Sequence, residues 1–463
     1  MSTLWSGRFD AAPDAVAFEF GKSFAVDRRL FEDDVRGSLA WAEALHRAGV
    51  LTSGDAAAIE AALGDMLNRA RADPAFVSGD DEDVHTFVER QLVDRVGETG
   101  KRLHTGRSRN EQVSLDLRLY LRRRIPVAQR QIADLVRALY ELAERSGEAL
   151  MPAYTHLRRA QPVLAAHFLL AHASALRRDH ARLSDAIDEA DALPLGSGAV
   201  AGTNYPIDTA RLAERLGFSR VVANSIDASA DRDFAATFLH ACALGMVHLS
   251  RFAEDLIVFS SEEFGFFELS DAASTGSSMM PQKKNPDPLE LVRGKAGRTI
   301  GRLAGWLATM KGLPSGYNKD LQEDKEAVFD AEDTFVPSLQ VLTVVVRGLE
   351  FDSVKAERAA SGLLLATDVA DYLVSRGLPF RRAHELVGAM TRRLLNEGRG
   401  FESLQLAEWR SFSDVFEEDV LTRVTARASV AARGTPQSTR PEAVREALGE
   451  LKRWLDSLPP DAR

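Results

Sequence analysis

The segment STGSSMMPQKKNPDPLE, residues 274–290, combines side chains that can do chemistry with a backbone that glycine and proline keep out of regular helix. The hydroxyl of Ser277 precedes two methionines, and Lys283, Lys284 and Asn285 follow. Hydroxyl, ammonium and amide groups together can hold negative charge that develops on a small substrate. The alternative is a surface loop in which the two lysines are a solvated pair and the methionines fill gaps against neighbouring helices.

Three further polar segments have similar potential: HTGRSRNEQ (104–112), YTHLRRAQP (154–162) and GYNKDLQEDKE (316–326). The first places Arg109 and Asn110 at a predicted helix N-terminus, where free backbone N–H groups favour an anion. The second holds His156 on a predicted loop, although a lone loop histidine is more often not a catalyst. The third contributes Tyr317, Gln322 and Lys325.

The sequence lacks the motifs that are typical of several other kinds of active site. The stretch GSSMMPQKK does not have the glycine–lysine spacing of a phosphate-binding loop. The ten histidines form no H-E-x-x-H or Cys/His cluster, so we expect no metal site. A G-x-S-x-G nucleophile elbow is also missing, which counts against a serine hydrolase.

Composition narrows the class of protein. The 463 residues carry a formal net charge of −10, which argues against nucleic-acid and anionic-membrane partners. The single cysteine, Cys242, cannot form an intramolecular disulfide and is predicted to be a buried helix residue. The N-terminal residues show no secretory signal pattern, and no apolar stretch approaches the ~20 residues of a membrane span. We expect a cytoplasmic protein.

Helical periodicity dominates the middle of the chain, and strand patterns are scarce. The sequence predicts an all-α chain with a central bundle of about five long helices. One of the five is expected to start near residue 109. The other four are expected to cover about 162–190, 232–260, 289–310 and 328–349, the last kinked at Pro337. Three domains are predicted: a helical domain at 1–108, the bundle at 109–359 and a second helical domain at 360–463.

Two of these helices have capping patterns at their starts. SRNE at 108–111 and DPLE at 287–290 each place Glu three residues after a capping side chain. The purely structural interpretation of Glu290 is that it only caps the N-terminus of the helix that follows. Glycine-rich connections at 193–208 and 311–322 are the other places where function is expected, because irregular loops on a rigid scaffold often carry it.

The ordered series of motifs resembles the fumarase–aspartase–argininosuccinate lyase superfamily. TGSSMMPQKKNPD is similar to the superfamily signature, and its QKKNPD ending is typical of the argininosuccinate lyase family. The further matches, in family order, are LWSGRF, FAVDRRL, LHTGRSRNEQV, YTHLRRAQPV, LPLGSGAVAGTNYPID, RFAEDLIVFSSEEFGF and GYNKDLQEDKE. The resemblance therefore covers nearly the whole chain.

The resemblance implies a three-domain subunit and a homotetramer whose active sites combine segments of three subunits. It also implies reversible β-elimination of argininosuccinate to arginine and fumarate, without a metal or organic cofactor. Such a reaction removes a weakly acidic proton next to a carboxylate and passes through an aci-carboxylate, so groups that stabilise negative charge are the main requirement.

The resemblance also assigns residues. Ser277 would be the base, His156 the general acid, Lys283 a stabiliser of the intermediate and Glu290 the partner of His156; an alternative family assignment makes the histidine the base. The expected substrate-binding residues are Ser23, Arg109, Asn110, Thr155, Asn285, Tyr317, Gln322 and Lys325.

Some positions depart from the family pattern, notably Met279, Arg158, the segment 84–92 and the C-terminal loop 431–444. None of them removes a proposed catalytic group. Two alternatives stay open: a related lyase that releases fumarate from an adenylosuccinate- or aspartate-type substrate, and a catalytically silent homologue of the kind found among lens crystallins.

Overall fold

The computed structural model describes residues 14–459, so the motif LWSGRF lies outside the described residues. Helices dominate the chain. Before residue 109 they are α1 Ala15–Gly21, α2 Phe24–Asp27, α3 Phe31–Arg47, α4 Ser53–Ala72, α5 Val84–Val96 and α6 Glu98–Lys101. The middle of the chain contains α7 Arg109–Ser146, α8 Ala165–Ala190, α9 Thr209–Leu216, α10 Ser225–Ala230, α11 Asp233–Ser260, α12 Asp287–Met310 and α13 Asp324–Arg347. The remaining helices are α14 Ser353–Ala359, α15 Ala366–Ser375, α16 Phe380–Glu397, α17 Leu406–Phe412, α18 Val420–Arg423, α19 Ala426–Ala431 and α20 Pro441–Ser457.

The strands are short and form four two-stranded pairs. They are β1 Leu150–Thr155, β2 Arg158–Leu164, β3 Ala192–Leu193, β4 Arg220–Val221, β5 Phe267–Glu268, β6 Thr275–Gly276, β7 Lys284–Asn285 and β8 Glu350–Phe351. β1–β2, β5–β8 and β6–β7 pair antiparallel, and β3–β4 pair parallel. The prediction of an all-α fold is confirmed, because these pairs only join or brace helices.

The five long helices are α7, α8, α11, α12 and α13, and all five were predicted from periodicity. Pro337 lies inside α13, as expected, and α7 contains a second internal proline, Pro126. The predicted start of α8 near residue 162 is wrong, because residues 158–164 form β2 and the helix begins at Ala165.

The segment 154–162 is therefore not the loop that the sequence predicted. It is the end of an antiparallel hairpin in which Thr155 pairs with Arg158. Residues 150–155 contain two buried apolar side chains and a proline with no clear alternation, so local pattern did not reveal the strand.

The two predicted capping boxes have different outcomes. In SRNE the carboxylate of Glu111 accepts a hydrogen bond from Ser108 N (3.0 Å), and the Ser108 hydroxyl accepts one from Asn110 N (3.2 Å). In DPLE the prediction is wrong: α12 begins at Asp287 itself, whose carboxylate accepts a hydrogen bond from the Thr275 hydroxyl instead of capping the helix.

The described chain divides into two compact units, each made of three stretches. Unit 1 contains residues 14–128, 181–243 and 298–334, and unit 2 contains residues 129–180, 244–297 and 335–459. Since these units join distant stretches, they do not correspond to boundaries along the chain, and the division at 108 and 359 stays a prediction.

Unit 1 buries an aromatic cluster in its N-terminal helices. Phe24 stacks on Phe87 with ring centroids 5.3 Å apart, and the fully buried Trp41 donates its indole N–H to Thr105 O (3.2 Å). The Trp41 bond fixes the residues just before α7. Burial of such rings contributes roughly 1.5–3 kcal/mol each.

Unit 2 has its main C-terminal core around the buried aromatic side chains of Phe401, Trp409 and Phe416. The departing loop 431–444 contributes Thr439, whose hydroxyl accepts a hydrogen bond from Leu164 N (2.7 Å) at the end of β2. This loop therefore supports the base of the β1–β2 hairpin. Among residues 14–459, no helix is both long and apolar enough to cross a membrane.

Candidate active site

The catalytic loop, which we define as residues 277–283, connects β6 to β7 in unit 2. The ladder pairs Thr275 with Asn285 and Gly276 with Lys284. Ser277 and Lys283 are the next residue on each strand, so the ladder holds the two ends of the loop side by side. Sequence patterns predicted a non-helical segment here but not this two-residue ladder.

The Ser277 hydroxyl oxygen lies at the centre of a local turn. It accepts hydrogen bonds from Met279 N (3.2 Å) and Met280 N (3.0 Å). An ordinary serine is a poor base, and N–H donors aimed at its oxygen are the groups that stabilise an alkoxide. The Met279 side chain is 85% exposed, so the methionines contribute through their backbone rather than through packing.

The adjacent lysines Lys283, at the end of the loop, and Lys284, in β7, have different surroundings. Lys284 forms ion pairs with Glu268 (2.9 Å) and Asp271 (3.0 Å), which raise its pKa. Lys283 is exposed, and residues 14–459 offer it no ion-pair partner. Lys283 is thus the lysine of this pair whose charge is not already neutralised within residues 14–459.

His156 and Leu157 form the two-residue turn of the β1–β2 hairpin. Both have left-handed backbone conformations, with φ of 54° and 55°. This conformation matches the twist of a tight hairpin but costs a residue with a side chain roughly 1–2 kcal/mol. Strained, exposed turn residues often mark function, and Leu157 is 78% exposed beside the equally exposed His156 and Thr155.

Glu290 lies on the first turn of α12 and is exposed. No hydrogen bond joins Glu290 to His156 within residues 14–459 of a single chain. The pairing of these two residues therefore stays a prediction about neighbouring subunits.

In unit 1, Ser23 is held by a buried carboxylate. Its hydroxyl donates to Asp27 Oδ2 (2.5 Å), while Asp27 Oδ1 accepts from Val84 N (2.9 Å) at the start of α5. Burial raises the pKa of Asp27, and the neighbouring charge of His85 and the Ser23 hydrogen bond oppose that rise. Asp27 was not predicted; its spacing of four residues after Ser23, one helical turn, is the signal that could have revealed it.

Arg109 is held in the same way by Asp83. The guanidinium Nη1 donates to Asp83 Oδ1 (2.7 Å), and Nη2 lies 3.8 Å from Glu89. Burial disfavours ionisation of Asp83, but the charges of His85 and Arg109 and the Thr86 N–H together keep its pKa below the usual value. Asp83 also caps α5, so one carboxylate positions both the helix and Arg109.

Lys325, a predicted substrate-binding residue, is buried. Its ammonium donates to Asp324 Oδ1 (3.0 Å), and Asp324 Oδ2 accepts from Arg232 Nε (2.7 Å). Asp324 and Arg232 are additional residues that the sequence analysis did not assign: Asp324 lies within GYNKDLQEDKE but was given no role, and Arg232 belongs to none of the matched motifs. Asp324 thus pairs with two cations, Lys325 and Arg232, so this group of three side chains carries a net positive charge.

Two buried polar atoms beside this group have no hydrogen-bond partner among the described residues: Arg232 Nη2 and Gln322 Oε1. Burial raises the pKa of Tyr317, while a hydrogen bond from Gln322 opposes the rise. A polar ligand is the kind of group that satisfies such buried donors and acceptors. Asn110 and Asn285 are both half-buried, in unit 1 and unit 2 respectively.

Within residues 14–459, one group has the residue types and spacing for a metal: Asp34, His85 and Asp116, with ligand atoms within 4.8 Å of one another. His85 Nδ1 lies 3.0 Å from Asp34 Oδ1 and 3.3 Å from Asp116 Oδ2. The buried guanidinium of Arg107 adds positive charge there, which disfavours a cation. The arrangement suits a hydrogen-bonded core network rather than a metal centre.

The predicted residues thus separate into two groups. Unit 1 contains Ser23, Arg109, Asn110, Tyr317, Gln322 and Lys325, and unit 2 contains Thr155, His156, Ser277, Lys283, Asn285 and Glu290. Three of the six predicted residues of unit 1 (Ser23, Arg109 and Lys325) are paired with carboxylates. In unit 2, His156 and Lys283 are exposed and Ser277 is half-buried.

Comparison with known proteins gives consistent matches. A family model described as lyase matches residues 7–301, and a model described as argininosuccinate lyase C-terminal matches residues 363–431. The argininosuccinate lyase of Desulforudis audaxviator is 49% identical over 99% of this chain and 100% of its own length. That of Moorella thermoacetica is 49% identical over 98% of both chains.

Solved structures show the same fold. An EDDS lyase in complex with formate has a TM-score of 0.85 at 25% identity, covering 95% of this chain and 89% of its own. A fumarate lyase from Mesorhizobium sp. BNC1 has a TM-score of 0.75 at 21% identity, covering 92% and 98%. The family model and the near-complete alignment with its curated members together show that this chain belongs to the argininosuccinate lyase family.

Proposed function

We propose that this protein is an active argininosuccinate lyase, which cleaves argininosuccinate reversibly into arginine and fumarate. The supporting observation is the 49% identity over 99% of the chain with a relative of that name. The site chemistry agrees with it, because Ser277, Lys283, Asn285 and His156 are all present and the first two flank one short ladder. A structural protein has no physical need for this set.

Ser277 is the proposed base. Its oxygen, stabilised by the N–H groups of Met279 and Met280, takes the proton from the carbon next to a substrate carboxylate. The resulting aci-carboxylate carries additional negative charge, and Lys283 with the Asn285 amide is proposed to stabilise it. Because Lys283 has no ion-pair partner within residues 14–459, its charge is available for this purpose.

His156 is the proposed general acid. As the C–N bond breaks, it gives a proton to the leaving guanidino nitrogen, so that arginine leaves as a stable product and fumarate remains. Glu290 is proposed to pair with His156 of a neighbouring subunit and to favour its protonated form. Exchange with solvent then returns Ser277 and His156 to their starting protonation states.

Unit 1 is proposed to bind the substrate's carboxylates and other polar groups. Ser23, Arg109 and Lys325 are each held by an aspartate, so their geometry exists before the substrate arrives. Preorganised groups of this kind lower the cost of binding. Thr155, Asn110, Asn285, Tyr317 and Gln322 complete the proposed substrate-binding set.

The active form is proposed to be a cytoplasmic homotetramer. Helix α12 exposes Leu291 (60%), Ile300 (45%) and Leu307 (48%), and a Cβ built at Gly294, Gly297, Gly301 or Gly305 would meet nothing within 4 Å. A long helix with exposed leucines and bare glycines suits close packing against another helix. Light scattering on the purified protein tests the assembly, and a monomer at working concentration would contradict it.

The decisive assay follows the absorbance of fumarate when purified protein is mixed with argininosuccinate. Release of fumarate from argininosuccinate, and not from adenylosuccinate or aspartate, is the expected result. Turnover of one of the other two substrates alone would favour a related lyase. If none of the three is turned over, a crystallin-like silent homologue becomes the better explanation.

Sharing of active sites between subunits is tested by mixing two inactive variants, Ser277→Ala and His156→Asn. After dissociation and reassembly, mixed tetramers should regain part of the activity, because some sites then receive both intact segments. Mixed tetramers that stay as inactive as the parents would contradict shared sites.

A further inference from the structure

Glu111 is a buried carboxylate that the proposed chemistry does not use. Its side chain is 0% exposed and lies on the first turn of α7, directly after Asn110. The sequence pattern explained it as half of a capping box. Its contacts go beyond a cap, because its second oxygen binds a segment almost ninety residues away.

The distant segment is the Gly loop, which we define as residues 196–205. Glu111 Oε2 accepts hydrogen bonds from Ser197 N (2.8 Å) and Gly198 N (3.0 Å), while Oε1 accepts from Ser108 N (3.0 Å). One carboxylate therefore joins the turn that carries Arg109 and Asn110 to the Gly loop. Charge-assisted hydrogen bonds are about twice as strong as neutral ones.

Two glycines, one in the Gly loop and one in the 106–110 turn, occupy positions that only glycine permits. Gly198 has φ of +58°, and a Cβ there would lie 2.4 Å from Gly202 O. Gly106, with φ of +72°, would place a Cβ 2.6 Å from Tyr205 Cδ2. The loop is thus folded tightly on itself and packed against residue 106 of the turn.

The Gly loop also reaches the other binding segment of unit 1. A Cβ at Gly316, next to Tyr317, would lie 3.3 Å from Val200 Cγ1. Between the loop and the turn lies an open depression of about 310 Å³, lined in part by Ser108, Gly198, Thr203 and Asn204. Asn110 ends the 106–110 turn and Tyr317 follows Gly316, so we expect a substrate bound by either residue to lie near the Gly loop.

We infer that Glu111 is a positioning residue for substrate binding, which locks the Gly loop against the 106–110 turn so that Arg109 and Asn110 are presented to the substrate. The inference rests on the proposed function. It adds the Gly loop as a wall of the substrate site. Glu111 itself has no contact with the reacting atoms.

The test is Glu111→Gln, which keeps the size of the side chain but replaces one acceptor oxygen with a donor. Burial raises the pKa of Glu111 to about 7, against the hydrogen bonds from Ser108 and Gly198 and the charge of Arg107, so the assays are run at pH 8, where the carboxylate predominates. We expect KM for argininosuccinate to rise about tenfold with kcat within about twofold, since an unsatisfied buried donor loosens both loops.

The matched control is Glu332→Gln, which alters another buried glutamate of unit 1. Glu332 binds Tyr120 and Arg124 and touches neither loop. It should lower the melting temperature and leave KM unchanged. If Glu111→Gln behaves like this control, Glu111 has only a structural role and the inference is wrong.

Two measurements keep the test decisive. If Glu111→Gln does not fold, Gly198→Ala disturbs the same loop from the other side, and an unchanged KM there overturns the inference. If the wild-type protein does not turn over argininosuccinate, the proposed function fails, but amide hydrogen exchange still decides the inference. Residues 106–110 and 196–205 should exchange about tenfold faster in Glu111→Gln than in Glu332→Gln, and equal rates would contradict it.

Discussion

The proposed binding residues of unit 1 and the proposed catalytic residues of unit 2 have different surroundings. Ser23, Arg109 and Lys325 are each tied to a buried aspartate, so their orientation is fixed by the core. Lys283 and His156 are exposed and Ser277 is half-buried, and all three lie where the chain leaves a short strand pair. The difference suggests that binding geometry is preformed, whereas the catalytic turns gain their final environment from substrate and neighbouring subunits.

The largest effect that this comparison predicts comes from Ser277→Ala. Removing the base should lower kcat about a thousandfold, while the melting temperature falls by no more than about 2 °C, because the side chain contributes mainly the two hydrogen bonds from Met279 N and Met280 N. Fumarate release and thermal unfolding measure the two quantities. Ser278→Ala is the matched control, because the hydroxyl of Ser278 has no assigned role. Near-normal activity of Ser277→Ala would refute the assignment of Ser277 as the base.

The second prediction separates the adjacent lysines Lys283 and Lys284. Lys283→Ala should reduce kcat about a hundredfold, because no other cation of the loop is free to stabilise the aci-carboxylate. Lys284→Ala should reduce it less than threefold, since Glu268 and Asp271 already neutralise that lysine. Steady-state kinetics of the two variants, with tetramer content checked by light scattering, decides the matter. Equal losses would show that local ion pairing does not distinguish them.

The third prediction concerns Asp83, which holds the proposed binding residue Arg109 in unit 1. Asp83→Asn removes the charge that holds Arg109 and weakens the cap of α5. We expect KM to rise about tenfold and the free energy of unfolding to fall by about 2 kcal/mol, measured by kinetics and urea unfolding. A loss confined to kcat would mean that Arg109 acts in the chemical step and not in binding.

The smallest effect concerns pH. Burial and the charge of Arg107 lower the pKa of His104 in unit 1 to about 4. The unfolded chain binds this proton near pH 6.5, so the folded state is favoured above pH 6.5 and loses stability as pH falls towards 4. From pH 7.5 to 5 the loss attributable to His104 should be about 2 kcal/mol at most.

Urea unfolding of wild type and His104→Asn at both pH values measures this loss, since the variant lacks the titrating group. The variant should lose less stability on acidification than wild type does. If wild type and His104→Asn lose equal stability on acidification, His104 is hydrated enough to titrate normally. The difference in burial between the proposed binding residues of unit 1 and the proposed catalytic residues of unit 2 is then smaller than we propose.

Much of the fold could be predicted because long amphipathic helices have a recognisable apolar periodicity in the sequence. Apolar residues at three- and four-residue steps marked all five long helices, and Pro337 lies inside α13 as expected. The β1–β2 hairpin could not be predicted, because its first strand lacks alternation and its turn uses His156 and Leu157 instead of glycine. The DPLE box failed because Thr275, twelve residues earlier, competes for the Asp287 carboxylate.

The sequence alone identified the family and the candidate catalytic segments, since residue types such as Ser277, Lys283 and His156 and their order along the chain can be read without a structure. Tertiary structure decided which of them are held and which are free. Asp27, Asp83 and Asp324 hold binding residues, and Lys284 differs from Lys283 only through Glu268 and Asp271. Ion pairs and buried hydrogen bonds depend on distances of a few ångströms between residues that lie anywhere along the chain. Local sequence pattern does not contain those distances, and the folded backbone sets them.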